Sequence, residues 1–401
     1  MVNLDQLNQC LGLSMAGWLT AEEVMARLGL RAQTLYAYVS RGRIEARRDA
    51  DDPRRSLYRA SDVDRLQKRR ARGRGQAAVA EEAIAWGEPV LASAITTIAD
   101  GKLWYRGRNA ASLAETASLE GVARLLWDCG NERFPTQTNT IAPGRAHDRM
   151  FQALAWRAAT SPATRGRRPE ALYFEAAALL DLLVDAVAGG SGDGPMDQRL
   201  GRAWGCDDVG TDLIRRALVL LADHELNAST FAARVTASTG ASLAACALAG
   251  LAALSGPLHG GIATRVRSFL TEAGKADPHG AVSARLAAGA ALPGFGHPLY
   301  PDGDPRAKAL LAAFDPLPEH RDLAAAVLEA TGELPNIDFA LTALTELAHL
   351  PEDAPFQIFA TARCTGWIAH ALEQSRAGKL IRPRARYVGV APDTVFAEAN
   401  P

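Results

Sequence analysis

The sequence predicts a mainly α protein: a nearly all-helical body preceded by a small, basic helix-turn-helix module. Three observations carry that prediction. Charge is lopsided, because residues 1–76 hold 15 Lys and Arg against 9 Asp and Glu although the whole chain is at −1. Beyond residue 76 apolar positions recur at helical spacing, as over 212–225 and 356–374, and alternating strand-like runs are almost absent. At 401 residues the chain also exceeds one ordinary core.

Thr20 precedes Ala21-Glu22-Glu23-Val24, a capping signature that opens a short helix reaching Leu28. Gly29 and Leu30 make a turn, and a second helix over Gln33–Ser40 turns Leu35 and Val39 inward. Arg31, Gln33, Thr34, Tyr36 and Tyr38 are then left outward, the first four as candidate DNA contacts. Residues 43–58 can form a wing rich in arginine, Arg54 and Arg55 among them, before Ser61 caps a third helix. The run Lys68-Arg69-Arg70-Ala71-Arg72-Gly73-Arg74-Gly75 reads as a basic helix end passing into a linker, which puts the module boundary near residue 76. The pattern Leu19-Thr20-Ala21-Glu22-Glu23, Thr34-Leu35-Tyr36, Leu57-Tyr58-Arg59 resembles the MerR and excisionase type of helix-turn-helix. That resemblance implies a recognition helix in the major groove of double-stranded DNA and wing arginines on phosphates.

The body has 36 acidic against 29 basic residues. A composition of 48% hydrophobic and 22% charged residues excludes a disordered chain. The five cysteines are scattered without CxxC spacing, which fits a reducing cytoplasm and no metal site. The first twenty residues lack a basic start and an apolar run, so a secretory leader is not expected. One stretch, 235–264, has no charged side chain and is long enough to span a bilayer. Its Ala, Gly, Ser and Thr content predicts a helix buried in an α core instead, and no membrane partner.

Four body segments put polar residues where an apolar core would not. On the helix expected over 212–225, Leu213, Ala217, Leu220 and His224 share one stripe, which turns the histidine inward. His259 sits in Gly256-Pro257-Leu258-His259-Gly260-Gly261, where bare backbone lets a ligand approach closely. His297 sits in a second Gly/Pro loop, Pro293-Gly294-Phe295-Gly296-His297-Pro298, and turn chemistry explains its neighbours but not the imidazole. Asp338 lies between Ile337 and Phe339, neighbours able to raise its pKa toward that of a general base. Farther on, Phe356, Phe359, Arg363, Gly366 and His370 share a helix stripe, and a guanidinium buried there needs an anion.

These segments, in this order, resemble the citrate synthase family over residues 90–390, from Leu103-Trp104-Tyr105-Arg106-Gly107 through Asp223-His224-Glu225 and the three loops to Gly366-Trp367-Ile368-Ala369-His370. The resemblance implies a large domain over 77–261 and 346–401, a small domain over 262–345, an active site in the cleft between them, and a homodimer or higher even oligomer. It implies that Asp338 takes a methyl proton from an acyl-CoA while His259 hydrogen-bonds the thioester oxygen, and that His297 protonates the oxo group under attack. His224, Arg306 and Arg363 would hold the oxaloacetate carboxylates, with Arg382 supplied across the dimer. No cofactor is permanently bound; acetyl-CoA or propionyl-CoA is the co-substrate. Basic residues expected for CoA phosphates are replaced by Pro298, Pro301 and Gly332, and Lys308 and Arg265 are the substitutes. Three functions follow: a citrate synthase with an accessory DNA-binding module, a 2-methylcitrate synthase, or a regulator using the acceptor pocket as a metabolite sensor.

Overall fold

The computed structural model describes residues 18–28, 35, 38–39, 44–49, 52, 55–63, 91–130, 134, 138–385 and 387–389. It forms two units, Met1–Ala92 and Ser93–Pro401. The first holds β1 (Trp18–Thr20), α1 (Ala21–Leu28), β2 (Ala46–Arg48) and β3 (Ser56–Arg59), with strand order β1-β3-β2, all antiparallel. The predicted capping box forms: Glu23 N–H donates to Thr20 Oγ1 at 3.3 Å, and Thr20 N–H donates to Glu23 Oε2 at 2.8 Å. Leu19, Val24, Leu28, Leu35, Ile44, Tyr58 and Val63 make the core of this unit. β2 and β3 are the predicted wing, and the Arg47 guanidinium lies 4.2 Å from the Trp18 ring. Ser61 does not cap the third helix, because helical backbone already begins at Ala60 and leaves Ser61 inside the first turn. The boundary at residue 76 lies outside the described residues.

The second unit opens with a feature the sequence reading missed, an antiparallel sheet of β4 (Thr96–Ala99), β5 (Lys102–Tyr105) and β6 (Arg108–Asn109). Asp100 and Gly101, at φ 52° and 66°, make the left-handed two-residue turn between its first strands. Its strands are too short for alternation to register against a helical background. The sheet matters because Tyr105 is fully buried and donates its hydroxyl to the end of α7 (Asp208–Leu221), 3.0 Å from Leu220 O.

Helices α2 (Ala110–Thr116), α3 (Leu119–Trp127) and α6 (Met196–Trp204) pack against α7, while α4 (Ala146–Thr160) and α5 (Pro169–Ala188) pack against each other. The charge-free stretch is not one helix. Gly240, at φ 84°, closes α8 (Ala228–Ser238), and Ser242 then caps α9 (Leu243–Leu254) by accepting from Ala245 N–H at 3.2 Å. Small residues there serve close packing: a Cβ on Gly250 would fall 2.5 Å from the Trp367 ring of α15 (Ala354–Ala377). Among the described residues no helix is long and apolar enough to cross a membrane.

Helices α10 (Ile262–Lys275), α11 (Pro278–Ala287), α13 (Pro318–Thr331) and the start of α14 (Ile337–Leu347) surround a second, smaller core of Val266, Phe269, Phe295, Leu323, Val327 and Phe339, while α12 (Pro305–Leu311) sets Ala307 and Leu310 in the main core. Helix α14 serves both cores. Phe339 belongs to the smaller one, while Ala340, Leu341 and Leu344 belong to the main one. Asp338 stands at the N-terminus of that shared helix, between the two cores.

Candidate active site

Helix α7 ends at Leu221, so His224 is not on its stripe as the sequence reading had it. It lies in the turn to α8, where Glu225 takes φ 50° and its Oε1 accepts from Ile98 N–H of β4 at 2.9 Å. The histidine is nevertheless buried, because the turn folds under the main core. Gly366 allows that: a Cβ there would meet Asp223 Oδ1 at 2.3 Å and Ala222 O at 2.6 Å.

The loops that carry His297 and Asp338 are stitched together. Phe295 and Pro335 form an antiparallel bridge, Gly296 N–H donates to Leu334 O at 3.0 Å, and Asn336 N–H donates to Gly294 O at 2.8 Å. Gly294 and Gly296 sit at φ 91° and 65°, conformations that a side chain would strain. Asn336 then caps α14, its Oδ1 accepting from Asp338 N–H at 3.1 Å.

Five predicted residues meet around this seam. His224 Nε2 lies 2.9 Å from the Tyr300 hydroxyl, and the His224 and His297 rings are edge to face at 5.4 Å. Burial first, then the cations Arg306 and Arg363, lower the pKa of His224 far below the imidazole range and keep the ring neutral. Burial likewise lowers His297 to about 4, with Arg306 adding to it. Asp338 moves the other way, pushed up to about 6 by burial against the opposing pull of Arg306 and Arg363. It is poised to accept a proton near neutrality.

His259 has its own support. Its Nε2 lies 2.9 Å from Ser229 Oγ, which accepts from Trp367 Nε1–H at 3.1 Å and stands 2.8 Å from Asn227 Oδ1. Ser229 Oγ donates to Asn227 Oδ1, which can only accept, and His259 Nε2–H then completes the serine; the other arrangement turns the hydroxyl toward Nε2. That second arrangement leaves Nδ1–H as the donor of the neutral ring. Burial lowers the His259 pKa to about 4, and its ring stands edge-on to Phe359 at 6.0 Å.

The two buried arginines differ. Arg306 spends Nε and Nη2 on Asp304, at 2.9 and 2.8 Å, and Asp304 Oδ2 also accepts from Ile337 N–H at 3.0 Å. That clamp holds α12 against α14 and leaves the Nη1 corner of Arg306 for a ligand. Arg363 donates Nε to Leu221 O at 2.9 Å and stacks 4.8 Å from the Phe359 ring, but its buried Nη2 has no hydrogen-bond partner. Burial lowers its pKa to about 10. A buried, unpaired donor on a cation is costly unless an anion completes it.

Tyr300, Ser229 and Trp367 were given no role from sequence, since each acts through a partner distant in the chain; Asp304 was given none either, although Arg306 stands two residues on. Asp223 too acts through a distant partner. His370 accepts from Arg234 Nη1–H through Nδ1 at 3.2 Å, so its Nε2 carries the proton toward Asp223 Oδ2 at 3.3 Å. Other predicted residues are not gathered in: Arg265, Lys308 and Arg382 are exposed. In the first unit Arg55 is exposed and pairs with Asp52 at 3.5 Å. Arg31, Gln33, Thr34, Tyr36 and Arg54 lie outside the described residues. Chemically, these residues offer one elevated carboxyl, three neutral imidazoles and two fixed cations, a set suited to enolising one substrate beside an anionic acceptor.

Comparison with known proteins agrees in both units. The family described as "Citrate synthase, C-terminal domain" matches residues 195–384, and "Helix-turn-helix domain" matches residues 18–71. A citrate synthase of Mycolicibacterium smegmatis is 30% identical over 337 residues, covering 72% of this chain and 89% of the relative. A 2-methylcitrate synthase of Mycobacterium tuberculosis is 37% identical over 187 residues, covering 43% and 47%. In relatives matching at 40 to 43% identity the chain spans only about half of their length. Among solved structures, citrate synthase from Thermotoga maritima superposes with TM-score 0.61 at 27% identity, over 76% of this chain and 94% of that one.

Proposed function

As the chain belongs to the citrate synthase family, we propose that it condenses acetyl-CoA with oxaloacetate to give citrate and CoA, as an acyltransferase fused to a DNA-binding module. The observation that carries this reading is the pairing of an elevated Asp338 carboxyl with the unpartnered Nη2 of buried Arg363. Asp338 removes a proton from the methyl carbon of the thioester. His259 donates a hydrogen bond to the thioester oxygen, so the electron pair rests there as a hydrogen-bonded enolate instead of a free carbanion. The methyl carbon then attacks the oxo carbon of the acceptor, and His297 delivers the proton that the new alkoxide takes up. Water finally cleaves the citryl thioester and frees CoA.

The acceptor is an anion in this reading because Arg363 and the free corner of Arg306 face it as donors, and His224 adds a neutral hydrogen bond. Tyr300 would hold His224 in place. The CoA phosphates have fewer cations to meet, with exposed Arg265 and Lys308 the candidates. The test is release of free thiol by the purified full chain with oxaloacetate and acetyl-CoA. Release only with propionyl-CoA would make it a 2-methylcitrate synthase. No release with either would remove the synthase reading.

The helix-turn-helix module supports a second reading, in which the acceptor pocket reports a metabolite to DNA. Citrate or oxaloacetate would then shift DNA affinity, and DNA would shift metabolite affinity by the same factor. Equal DNA binding with and without saturating metabolite excludes it. Dimerisation would bring Arg382 of one copy to the cleft of the other and pair two recognition helices.

A further inference from the structure

His320 is a buried titratable group that the proposed chemistry leaves unused. It lies in the first turn of α13 and is fully buried, yet neither ring nitrogen has a hydrogen-bond partner. Buried polar atoms are paired in the great majority of cases, so an unpaired imidazole calls for a ligand. Its Nε2 stands 3.3 Å from Glu346 Oε2 without hydrogen-bond geometry. The preceding residue, Glu319, supplies a third donor atom, and the ligand atoms of the three all lie within 4.8 Å of one another. Phe339 meets the ring edge to face, with centroids 5.8 Å apart, and restrains its plane.

We propose that Glu319, His320 and Glu346 bind one divalent cation of the zinc class, joining the first turn of α13 to the last turn of α14. The donor set decides the class. An imidazole nitrogen with two carboxylate oxygens suits zinc or its neighbours, whereas calcium and magnesium prefer oxygen alone. Zinc ligands at about 2.0–2.2 Å stand roughly 3.4 Å from each other, so the group must contract by about an ångström. It can: Glu319 is exposed and Glu346 half-buried, while His320 stays fixed. Arg267, the cation whose charge acts on Glu346, is committed to Glu352 through the Glu352 side chain and carbonyl, each at 2.6 Å. A water would complete a four-coordinate shell.

The site is a clamp and not part of the reaction. Glu346 follows Asp338 by eight residues on the same helix, which is about 12 Å along its axis. A cation there would fix the far end of the helix whose near end carries the proposed base.

The test uses the full chain, freed of metal by chelation and titrated with cobalt(II) as a visible probe. One equivalent with d–d absorption of an N/O-ligated ion, displaced by zinc, is expected, and zinc should raise the melting temperature. Glu319→Gln, at an exposed position that folding does not need, should weaken cobalt binding at least tenfold while leaving thiol-releasing activity unchanged. Glu346→Gln and His320→Gln should abolish binding. The wild-type chain failing to bind one equivalent would overturn the proposal. So would affinity and spectrum unchanged in both glutamate variants, because other histidines or cysteines would then hold the ion.

Discussion

The Tyr300 hydroxyl and Nε2 of His224 stand 2.9 Å apart, and this contact joins the turn after α7 to the loop that carries His297. Without it, His224 would keep its burial but lose the partner that orients it. Tyr300→Phe is expected to raise KM for oxaloacetate about tenfold, the worth of one buried hydrogen bond, with a smaller change in kcat. Steady-state kinetics decide; an unchanged KM removes Tyr300 from the acceptor site.

Asp338 must be ionised to act as a base, and burial sets its pKa at about 6. Activity limited by proton abstraction should therefore fall about tenfold per pH unit below 6, as the carboxyl takes up a proton. Asp338→Asn should lower kcat by about 10²-fold or more, yet bind oxaloacetate as before in calorimetry. Retained turnover in that variant would take the residue out of the mechanism.

Stability should fall as the solution is acidified from neutrality. His259 and His297 are held at about 4, and His224 well below its ordinary value, so between about 6.5 and 4 the unfolded chain binds protons that the folded one does not. Asp338 opposes this, because its folded pKa is raised and the folded state takes its proton first between about 6 and 4. Within the site three imidazoles outweigh one carboxyl, while outside it the raised carboxyls of Asp181, Asp197, Glu225 and Glu346 also work against the loss. Thermal melts from pH 7 to 4.5 should show it, with a shallower slope in His297→Gln; an equal slope would mean that this ring does not contribute.

Gly366→Ala tests the packing beneath His224. The added Cβ would lie 2.3 Å from Asp223 Oδ1, so either α15 or the turn must move. A loss of about 1–3 kcal/mol is expected, the ordinary range for overpacking, together with weaker oxaloacetate binding. An unchanged denaturation midpoint would show that the turn yields freely.

For the first unit, salt dependence is the sharpest measure. Arg47 and Arg48 are exposed on the wing strand β2, so DNA binding should weaken steeply as salt rises and each arginine removed should flatten that slope. Removal of residues 1–76 should end binding. If the shortened chain binds DNA equally well, the module does not carry it.

Much of this protein was determined by its sequence alone. Thr20 and Glu23 forming a capping box, the wing after residue 43, and the helical body all rest on short-range rules of capping, charge and periodicity, which hold wherever the segment ends up. His259, His297 and Asp338 could be named for the same reason: each is a polar residue set among glycines, prolines or apolar neighbours that it does not resemble.

Tertiary structure alone decided the rest. It ended α7 before His224, where Gly366 lets the next turn tuck beneath α15. It set Ser229 against His259 from 30 residues away, brought Ile337 N–H onto Asp304 Oδ2 from 33 residues away, and left Nη2 of Arg363 unpaired. The physical reason is common to all four. A side chain's pKa, partner and free donors depend on what burial brings against it, and those neighbours come from segments whose separation in sequence carries no periodic signal.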